Sequence, residues 1–331
     1  MNSNKENIRQ LKNIISTQLT PLIDNDFILL DIPNHRNIGD SLIWKGELEF
    51  FKTLAHKCIG QYNRYTFKKS DIKSEKTVIL LHGGGNFGDI YESSQSFKRY
   101  IIENFPNNKI IVLPQTVHYN SEANLKRDFA IFNNHRDLHV LVRDLPSYDT
   151  LKAAFNEEKL KLAPDMAFFL DFDADIKTNS PETRKNLYLN RTDAEASKDS
   201  FQNVIEGEYD IKDWPTYNSS SKRMNTITNY VEALDGKLSK VIKYLPASSL
   251  IIDNAYGFKK RNGMDLHINR GKEFINQYHK VYTTRLHGLI LSILLDKEVV
   301  ILDNVYGKSK NFYDAWLKNF NNVKLYVKNE S

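Results

Sequence analysis

The chain has 331 residues, of which 40% are hydrophobic and 11% aromatic, which is enough apolar material for more than one ordinary domain. Lysine and arginine total 46 against 41 acidic residues, and these charges are scattered, which favours small anionic ligands or an acidic membrane face over nucleic acid. The single cysteine, Cys58, excludes an intramolecular disulfide and a cysteine-based metal cluster, and it fits a reducing compartment.

Residues 1–21 intersperse charged side chains among apolar ones and therefore lack the uninterrupted apolar core of a signal peptide. The longest apolar stretch, at 288–295, is too short to cross a bilayer. The sequence therefore predicts a cytoplasmic protein, and peripheral contact with the inner face of the membrane stays open.

The first half of the chain alternates amphipathic segments with short continuous apolar runs. Such runs are typical of strands buried on both faces of a parallel sheet, so the alternation predicts a doubly wound α/β unit. Strands are predicted at 27–31, 77–81, 109–113 and 138–142, and helices at 6–19, 41–56, 94–105, 120–133 and 145–155.

A polar stretch at 173–183 is the predicted linker between domains at 1–172 and 184–331. The second domain repeats the α/β pattern, so the sequence predicts two Rossmann-like domains with a central cleft. Ligands in such sheets bind beyond the carboxyl ends of the strands. In the second domain, strands are predicted at 186–189, 280–284 and 299–303, and helices at 227–244 and 286–295.

The segment 82–89, His-Gly-Gly-Gly-Asn-Phe-Gly-Asp, follows a predicted strand and precedes a predicted helix. Consecutive glycines let the backbone approach a ligand closely and point N–H groups at it. The segment matches neither a Walker loop nor the dinucleotide fingerprint. A tight turn that needs positive φ is the structural alternative, but the flanking His82 and Asp89 favour a ligand loop.

An earlier loop that contains Asn37, Gly39 and Asp40 also joins a strand to a helix. Asp40 or Ser41 could simply cap that helix. Because parallel strands end at the same edge of a sheet, this loop and the glycine segment are expected to converge. That convergence makes Asp40 and Asp89 candidate general bases.

Two more predicted strand ends carry polar side chains. Gln115 and His118 follow the strand at 109–113, and His118 is either a proton donor or acceptor near neutral pH or a hydrogen-bonded structural histidine. Arg143 and Asp144 follow the strand at 138–142. Either the two form an internal ion pair, or Asp144 holds Arg143 in position to bind an anion.

The second domain carries a predicted anion site. Arg191 follows its first strand, and Arg285, His287 and Gly288 join a later strand to a helix. Arg285 and His287 lie at the positive end of the helix dipole, where a phosphate or carboxylate would meet a guanidinium, backbone donors and an ionisable imidazole.

No metal site or bound cofactor is predicted. The nine histidines include no zinc spacing. Asp171 and Asp173 imitate the metal-binding motif of some glycosyltransferases, but their polar surroundings indicate a solvated loop.

Taken in order, these blocks, together with 163–167 (Ala-Pro-Asp-Met-Ala), resemble the polysaccharide pyruvyl transferase family of exopolysaccharide and capsule clusters. The resemblance implies a fold similar to the B-type glycosyltransferases, with the acceptor on the first domain, phosphoenolpyruvate on the second, and a C-terminal helix near 311–318 packing back on the first. It places Arg285 and His287 at the donor site, with Gly288 beside them and Arg143, Arg191 and His118 as companions. Candidate ligand-loop residues on the acceptor side are Asn37, Gly39, His82, Gly83, Gly84, Gly85, Asn86 and Gln115.

The implied reaction moves the pyruvyl group of phosphoenolpyruvate onto two hydroxyls of a sugar, in a surface polysaccharide or its lipid-linked repeat unit, and releases phosphate. His287 or His118 would protonate the methylene carbon, and Asp40 or Asp89 would act as general base. Two alternatives stay open: a nucleotide-sugar-dependent glycosyltransferase of the same fold, and a non-catalytic glycan-binding assembly protein. The sequence does not determine the acceptor sugar or the oligomeric state.

Overall fold

The structure, a computed structural model, describes residues 3–176, 185–192, 201–215, 238, 241, 244, 263–302 and 307–327. Within these residues every strand pair is parallel. The predicted α/β class with parallel sheets is therefore confirmed.

The first sheet contains seven strands: Phe27–Leu30 (β1), Cys58–Tyr62 (β2), Val78–Leu81 (β3), Gly84–Gly88 (β4), Ile110–His118 (β5), Leu138–Val142 (β6) and Leu160–Leu162 (β7). Their order is β2-β1-β3-β5-β6-β7, and β4 pairs with the carboxyl-terminal part of β5. The chain therefore reverses its direction of travel across the sheet between β1 and β3.

In the described residues, the second sheet contains five strands: Asn186–Leu189 (β8), Tyr209–Lys212 (β9), Lys280–Thr283 (β10), Glu298–Ile301 (β11) and Val323–Leu325 (β12). Their order is β12-β11-β10-β8-β9, so the reversal here falls between β8 and β10. Such reversals are the switch points at which parallel α/β sheets bind ligands.

The α-helices in the described residues are Asn4–Leu19 (α1), Ile38–Phe51 (α2), Glu92–Asn104 (α3), Glu122–Asn134 (α4), Leu145–Lys152 (α5), Asp173–Ile176 (α6), Met264–Asn276 (α7), Leu286–Leu294 (α8) and Lys308–Phe312 (α9), which a π-helical turn continues over Tyr313–Leu317. Short 3-10 helices cover Thr20–Leu22, Lys69–Asp71, Glu157–Lys159, Met166–Phe169 and Gln202–Val204. None of the helices in this part of the chain has the length and apolarity needed to span a bilayer.

One apolar core joins the two sheets. Leu29 and Leu80 of the first sheet belong to the same buried cluster as Leu187 and Val299 of the second, together with side chains of α1, α2, α7 and α8. Alternate residues of the first sheet, such as Ile28, point to a separate cluster that α3, α4 and α5 cover. The central strands are buried on both faces, which explains their continuous apolar sequences.

The strands β2, β7, β9 and β12 were not expected from the sequence, and they are the four outer strands of the two sheets. An outer strand is covered on one edge only, so its sequence lacks a continuous apolar run. Ile59 of β2 and Ile211 of β9, for example, are 52% and 46% exposed. The apolar-run criterion therefore finds central strands and misses outer ones.

Two segments that were predicted to be loops at strand ends are themselves strands in the structure. The glycine segment is a strand, β4, and β5 continues through the expected strand end to His118, because Gly84 pairs with Gln115 and Gly88 with His118. Gly88 has φ 117°, and a β-carbon there would lie 1.8 Å from the His118 carbonyl oxygen. Only glycine permits this backbone approach.

The first four residues of the predicted linker are helical. Asp173–Ile176 forms α6, in which Asp173 pairs with Lys5 at 2.6 Å and Asp175 with Lys272 at 3.0 Å. The rest of the predicted linker, at 177–183, lies outside the described residues. So do the helix predicted at 227–244, apart from three isolated residues, and the last residue of the strand predicted at 299–303.

Candidate active site

A cavity of about 320 Å³ lies where the carboxyl ends of the two sheets face each other. This volume is within the range of small-ligand sites, about 300–1,000 Å³. The loop after β1 and the strand β4, which directly follows β3, line it from one side, and loops after β8 and β10 line it from the other, so both switch points open into it. Its lining residues are His35, Asn37, Asp40, Arg64, Gly85, Asn86, Tyr91, Ser93, Ser94, Arg143, Arg191, Trp214, Arg285, Leu286, His287 and Lys308.

The N-terminus of α2 brings Asp40 to the cavity. Asn37, and neither Asp40 nor Ser41, is the N-cap, since its Oδ1 accepts the backbone N–H of Gly39 at 2.8 Å and that of Asp40 at 3.4 Å. The Asp40 carboxylate is thereby released from capping and lies 3.4 Å from His35 Nε2. The capping alternative for Asp40 is wrong.

Gly39 lies against the imidazole of His287. A β-carbon at Gly39 would come within 2.5 Å of His287 Nδ1, so the missing side chain leaves space that the imidazole ring fills. The imidazole of His287, which projects from α8 in the second sheet region, thus packs against α2 in the first.

Asp165 connects the two sides of the cavity. Its Oδ2 accepts hydrogen bonds from Arg143 Nη1 and, at 3.3 Å, from His287 Nε2, while its Oδ1 accepts the Ala167 N–H at 2.9 Å. The carboxyl is buried, which alone would raise its pKa, but the charges of Arg143 and His287 hold the pKa well below its ordinary value. Asp165 is therefore an ionised carboxylate, which can only accept hydrogen bonds.

The ion partner of Arg143 is Asp165, and the predicted pairing with Asp144 is wrong. Asp144 instead caps α5 through the Ser147 N–H at 2.9 Å and accepts the Thr116 hydroxyl at 2.9 Å. Arg143 Nε in turn donates to Thr116 Oγ1 at 2.9 Å. Asp144 is the N-cap of α5, so its carboxylate is occupied at the start of that helix and does not pair with Arg143.

Arg285 is held by a carboxylate that sequence reasoning missed. Its Nε and Nη2 donate to the two oxygens of Asp213, at 2.5 and 2.7 Å. Burial would raise the pKa of Asp213, but the hydrogen bonds and charge of Arg285 lower it. Such a fork orients the guanidinium for an anion in the cavity.

Arg191 and Lys308 complete the cationic side. The Arg191 backbone N–H donates to Thr284 Oγ1 at 3.0 Å, which anchors the loop after β8. A β-carbon at Gly85 would lie 3.3 Å from Arg143 Nη2 and 3.7 Å from Lys308 Nζ. Cations from both sheets thus converge over Gly85.

Of the predicted glycine-segment residues, Gly85 and Asn86 line the cavity. His82 and Gly83 are turned inward, because Glu47 Oε2 lies 2.8 Å from His82 Nδ1 and Glu47 Oε1 accepts the Gly83 N–H at 2.9 Å. Gln115 is also buried beneath the cavity. It accepts the Asn86 N–H at 3.3 Å and donates to the His82 carbonyl at 2.7 Å.

Three further predicted site residues are not among the lining residues. A β-carbon at Gly288 would meet Leu189 Cδ2 at 2.4 Å, so Gly288 serves close packing. His118 Nε2 lies 3.1 Å from Asn120 Oδ1, and Asp89 accepts the backbone N–H of Asn120 at 2.8 Å. Although burial would raise the pKa of Asp89, hydrogen bonds from the Asn120 and Ser121 N–H groups and from the Asn124 side chain lower it, as expected of a structural carboxylate.

Sequence reasoning missed several residues around the cavity. Asp165 belongs to the block at 163–167, and Lys308 begins the helix that follows β11, so both stand at the kind of strand end that predicted other site residues. The missed residues also include Arg64, Tyr91, Ser93, Ser94, Asp213 and Trp214. Within the described part of the chain, no group of three or more histidine, cysteine, aspartate or glutamate side chains is arranged to hold a metal ion.

The comparisons with known proteins agree on one family. The family model described as polysaccharide pyruvyl transferase matches residues 37–304. A relative in Bacillus subtilis (strain 168), EpsO, which carries the name of a pyruvyl transferase, is 34% identical over 325 residues, covering 98% of this chain and 94% of that protein. Pyruvyl transferase 1 of Schizosaccharomyces pombe is 26% identical over 307 residues, covering 87% of this chain and 69% of that protein.

The fold is also present among solved structures. A crystal structure of an uncharacterized protein from Klebsiella pneumoniae superposes with a TM-score of 0.64 and covers 96% of this chain and 99% of that one. Its sequence identity is 20%, so the likeness concerns the fold alone.

Proposed function

This chain belongs to the polysaccharide pyruvyl transferase family, and from that membership we propose that it takes its pyruvyl group from phosphoenolpyruvate and joins it to two hydroxyls of one sugar as a ketal. The observation that carries the proposal is the charge of the cavity. Five cationic side chains line it against one carboxylate, Asp40, among the described residues; the cations are Arg64, Arg143, Arg191, Arg285 and Lys308.

Phosphoenolpyruvate carries about three negative charges near neutral pH on a compact frame, so its binding needs several charge-assisted hydrogen bonds. Arg191, Arg285 and Lys308 come from the second sheet region and Arg143 from the first. The carboxylate of Asp165 accepts a hydrogen bond from Arg143, and that of Asp213 accepts from Arg285. A guanidinium held in this way presents its remaining N–H groups to a phosphate or carboxylate without reorganising.

His287 is the proposed general acid. It lies in the cavity and its ring is fixed by Gly39 on one side and Asp165 on the other. In the proposed step, His287 gives a proton to the methylene carbon of the enol, which becomes a methyl group, and the positive charge that develops at the neighbouring carbon is attacked by one sugar hydroxyl.

Asp40 is the proposed general base. It takes the proton of the attacking hydroxyl as the first carbon–oxygen bond forms. The bond to the phosphate oxygen then breaks, phosphate leaves with the electron pair, and the second hydroxyl closes the ketal while its proton passes to the phosphate. Asp40 then releases its proton to solvent and His287 takes one up, so the two protons lost by the sugar hydroxyls equal the one gained by the methyl group and the one carried by the phosphate.

We assign the donor to the second sheet region and the acceptor to the first, each with a Rossmann-like arrangement of its own. The acceptor is proposed to be a glycan of a surface polysaccharide or its lipid-linked repeat unit, handled in the cytoplasm at the inner face of the membrane. The family description and the names of the relatives support a polysaccharide acceptor.

The test is incubation of the purified full chain with phosphoenolpyruvate and a panel of synthetic and lipid-linked glycans. The expected result is phosphate release that depends on a glycan, together with a pyruvyl mass increment on that glycan. Phosphoenolpyruvate alone is expected to raise the melting temperature, because a ligand that binds only the native state stabilises it. Glycosyl transfer from a nucleotide sugar, with no use of phosphoenolpyruvate, would overturn the proposal.

A further inference from the structure

The cavity has a second side, formed by the first sheet region. Arg64 belongs to this side, whereas the other four lining cations, Arg143, Arg191, Arg285 and Lys308, do not. Arg64, Asn86, Tyr91, Ser93 and Ser94 line it. We propose that this side binds one pyranose ring of the acceptor, with an apolar face of the sugar on the Tyr91 ring and its hydroxyls on Arg64, Ser93 and Asn86. The inference rests on the proposed function for the position of the donor.

Tyr91 is the exposed aromatic ring of the cavity. It is 42% exposed at the start of α3, whereas Trp214, on the opposite wall, is 9% exposed and packs against Phe274. A tyrosine offers a rigid apolar face with a polar tip. A pyranose has the matching surface, since its axial C–H groups form an apolar patch and its hydroxyls lie around the rim.

Arg64 and two serines form a hydrogen-bonding edge beside this ring. Arg64 Nη1 donates to Ser93 Oγ at 2.6 Å and to Ser94 Oγ at 3.3 Å. Each hydroxyl that accepts from the guanidinium keeps its own proton for another acceptor. Ser93 is exposed, so its proton is accessible to a ligand hydroxyl.

Asn86 is oriented from below by Lys98 of α3. The Lys98 side chain is completely buried, and its Nζ donates to Asn86 Oδ1 at 2.7 Å and lies 3.5 Å from Asp31 Oδ2. Because an ammonium group only donates, the amide oxygen must face Lys98 and the amide N–H₂ group faces away from it. Asn86 therefore presents donors at the cavity floor.

One short segment carries most of this arrangement. Tyr91, Ser93, Ser94 and Lys98 all belong to residues 91–98. A binding site for a sugar combines fixed hydrogen-bond donors and acceptors with an aromatic ring, whereas a binding site for a small anion depends on positive charge. The chemistry of this side is therefore that of a neutral carbohydrate, and the opposite side is that of a multiply charged donor.

Saturation-transfer NMR with methyl glycosides of galactose, glucose, mannose and N-acetylglucosamine tests the subsite on the full chain, because it detects weak ligands close to protein side chains. At least one glycoside is expected to receive saturation from the wild type and from Tyr91→Phe, which keeps the ring. Tyr91→Ala should lose that signal. Tyr100→Ala is the matched control, since Tyr100 lies on the same helix and is 41% exposed.

For the glycan that supports turnover, Tyr91→Ala should raise the acceptor KM by about tenfold, the loss expected for one aromatic contact, with an unchanged response to phosphoenolpyruvate in a thermal shift. The subsite is overturned if Tyr91→Ala behaves as Tyr100→Ala does, or if no glycoside receives saturation from the wild type. Glycoside binding at Tyr91 without any effect of phosphoenolpyruvate would instead retain the subsite and overturn the proposed donor.

Discussion

His287 Nε2 lies 3.3 Å from Asp165 Oδ2, although 122 residues separate the two in the chain. Asp165 follows the last strand of the first sheet, and His287 lies in the first turn of α8 in the second sheet region. The same carboxylate oxygen also accepts from Arg143. One buried carboxylate therefore orients a proposed acid and a proposed donor-binding cation at once.

Asp165→Asn should lower both activity and stability. The amide keeps the shape but removes the charge, which leaves the Arg143 guanidinium buried without its ion partner. Breaking a buried pair in this way costs about 3–5 kcal/mol of unfolding free energy. Loss of an oriented acid is expected to lower kcat by about a hundredfold.

Chemical unfolding and phosphate release measure these two effects separately. Asp144→Asn is the matched control, because Asp144 is equally buried and adjacent to Arg143 but bonds to Thr116 and Ser147. Its expected effect is confined to stability. Full turnover by Asp165→Asn would refute the orienting role.

Gly39→Ala should reduce turnover while leaving the fold intact. The added β-carbon would lie 2.5 Å from His287 Nδ1, so the imidazole must move. A displacement of about 1 Å can cost about a hundredfold in rate.

Gly60→Ala is the control for this substitution, since its β-carbon would meet a side chain, the Tyr62 ring, at 2.6 Å on an outer strand. Steady-state kinetics should show a lower kcat for Gly39→Ala and wild-type values for Gly60→Ala. Equal kinetics for both variants would mean that the position of the His287 ring does not matter for the reaction.

Arg285→Gln should weaken the binding of phosphoenolpyruvate. The substitution removes a cation whose fork is held by Asp213, and a charge-assisted hydrogen bond contributes about 2 kcal/mol, or roughly thirtyfold in Kd. Isothermal titration calorimetry measures the change. Arg9→Gln, on the exposed face of α1, should bind as the wild type does, and an unchanged Kd for Arg285→Gln would remove the second-sheet anion site from the proposal.

His267 should make the protein less stable in mild acid. Burial, followed by the positive charges of Arg270, Arg36 and His35, lowers the pKa of His267 from 6.5 to about 4. Between these values the unfolded state binds more protons than the folded state, so the free energy of unfolding falls as the pH decreases. The total loss attributable to this group is about 3 kcal/mol at most.

Urea unfolding at several pH values between 4 and 6.5 measures this dependence. His267→Gln should lose less stability over that interval than the wild type does. His279→Gln, at an exposed histidine of the same sheet region, should keep the wild-type slope. If His267→Gln kept that slope as well, another group would have to be responsible.

Local sequence features predicted the central part of this fold and much of its cavity. Continuous apolar runs marked strands such as β1 and β3, because a strand covered on both faces is apolar at every position. The strand-to-helix position of Arg285 and His287 predicted their place at the cavity, because parallel strands end at one edge. Both signals depend on only a few adjacent residues.

The parts that sequence reasoning missed depend on contacts between distant residues. The outer strands are defined by a neighbour on one side and carry no apolar run. The pairing of His82 with Glu47, and the exposure of Tyr91 in the cavity, follow from how helices pack on the sheet.

The amino-acid sequence by itself therefore determined the parallel α/β class, the family and the group of cationic side chains at strand ends. Only the tertiary structure decided that Arg143 pairs with Asp165 instead of the adjacent Asp144, and that Asp89 serves a loop while Asp40 reaches the cavity. The physical reason is that a buried charge pairs with the opposite charge that packing places beside it, and packing brings together residues far apart in the chain.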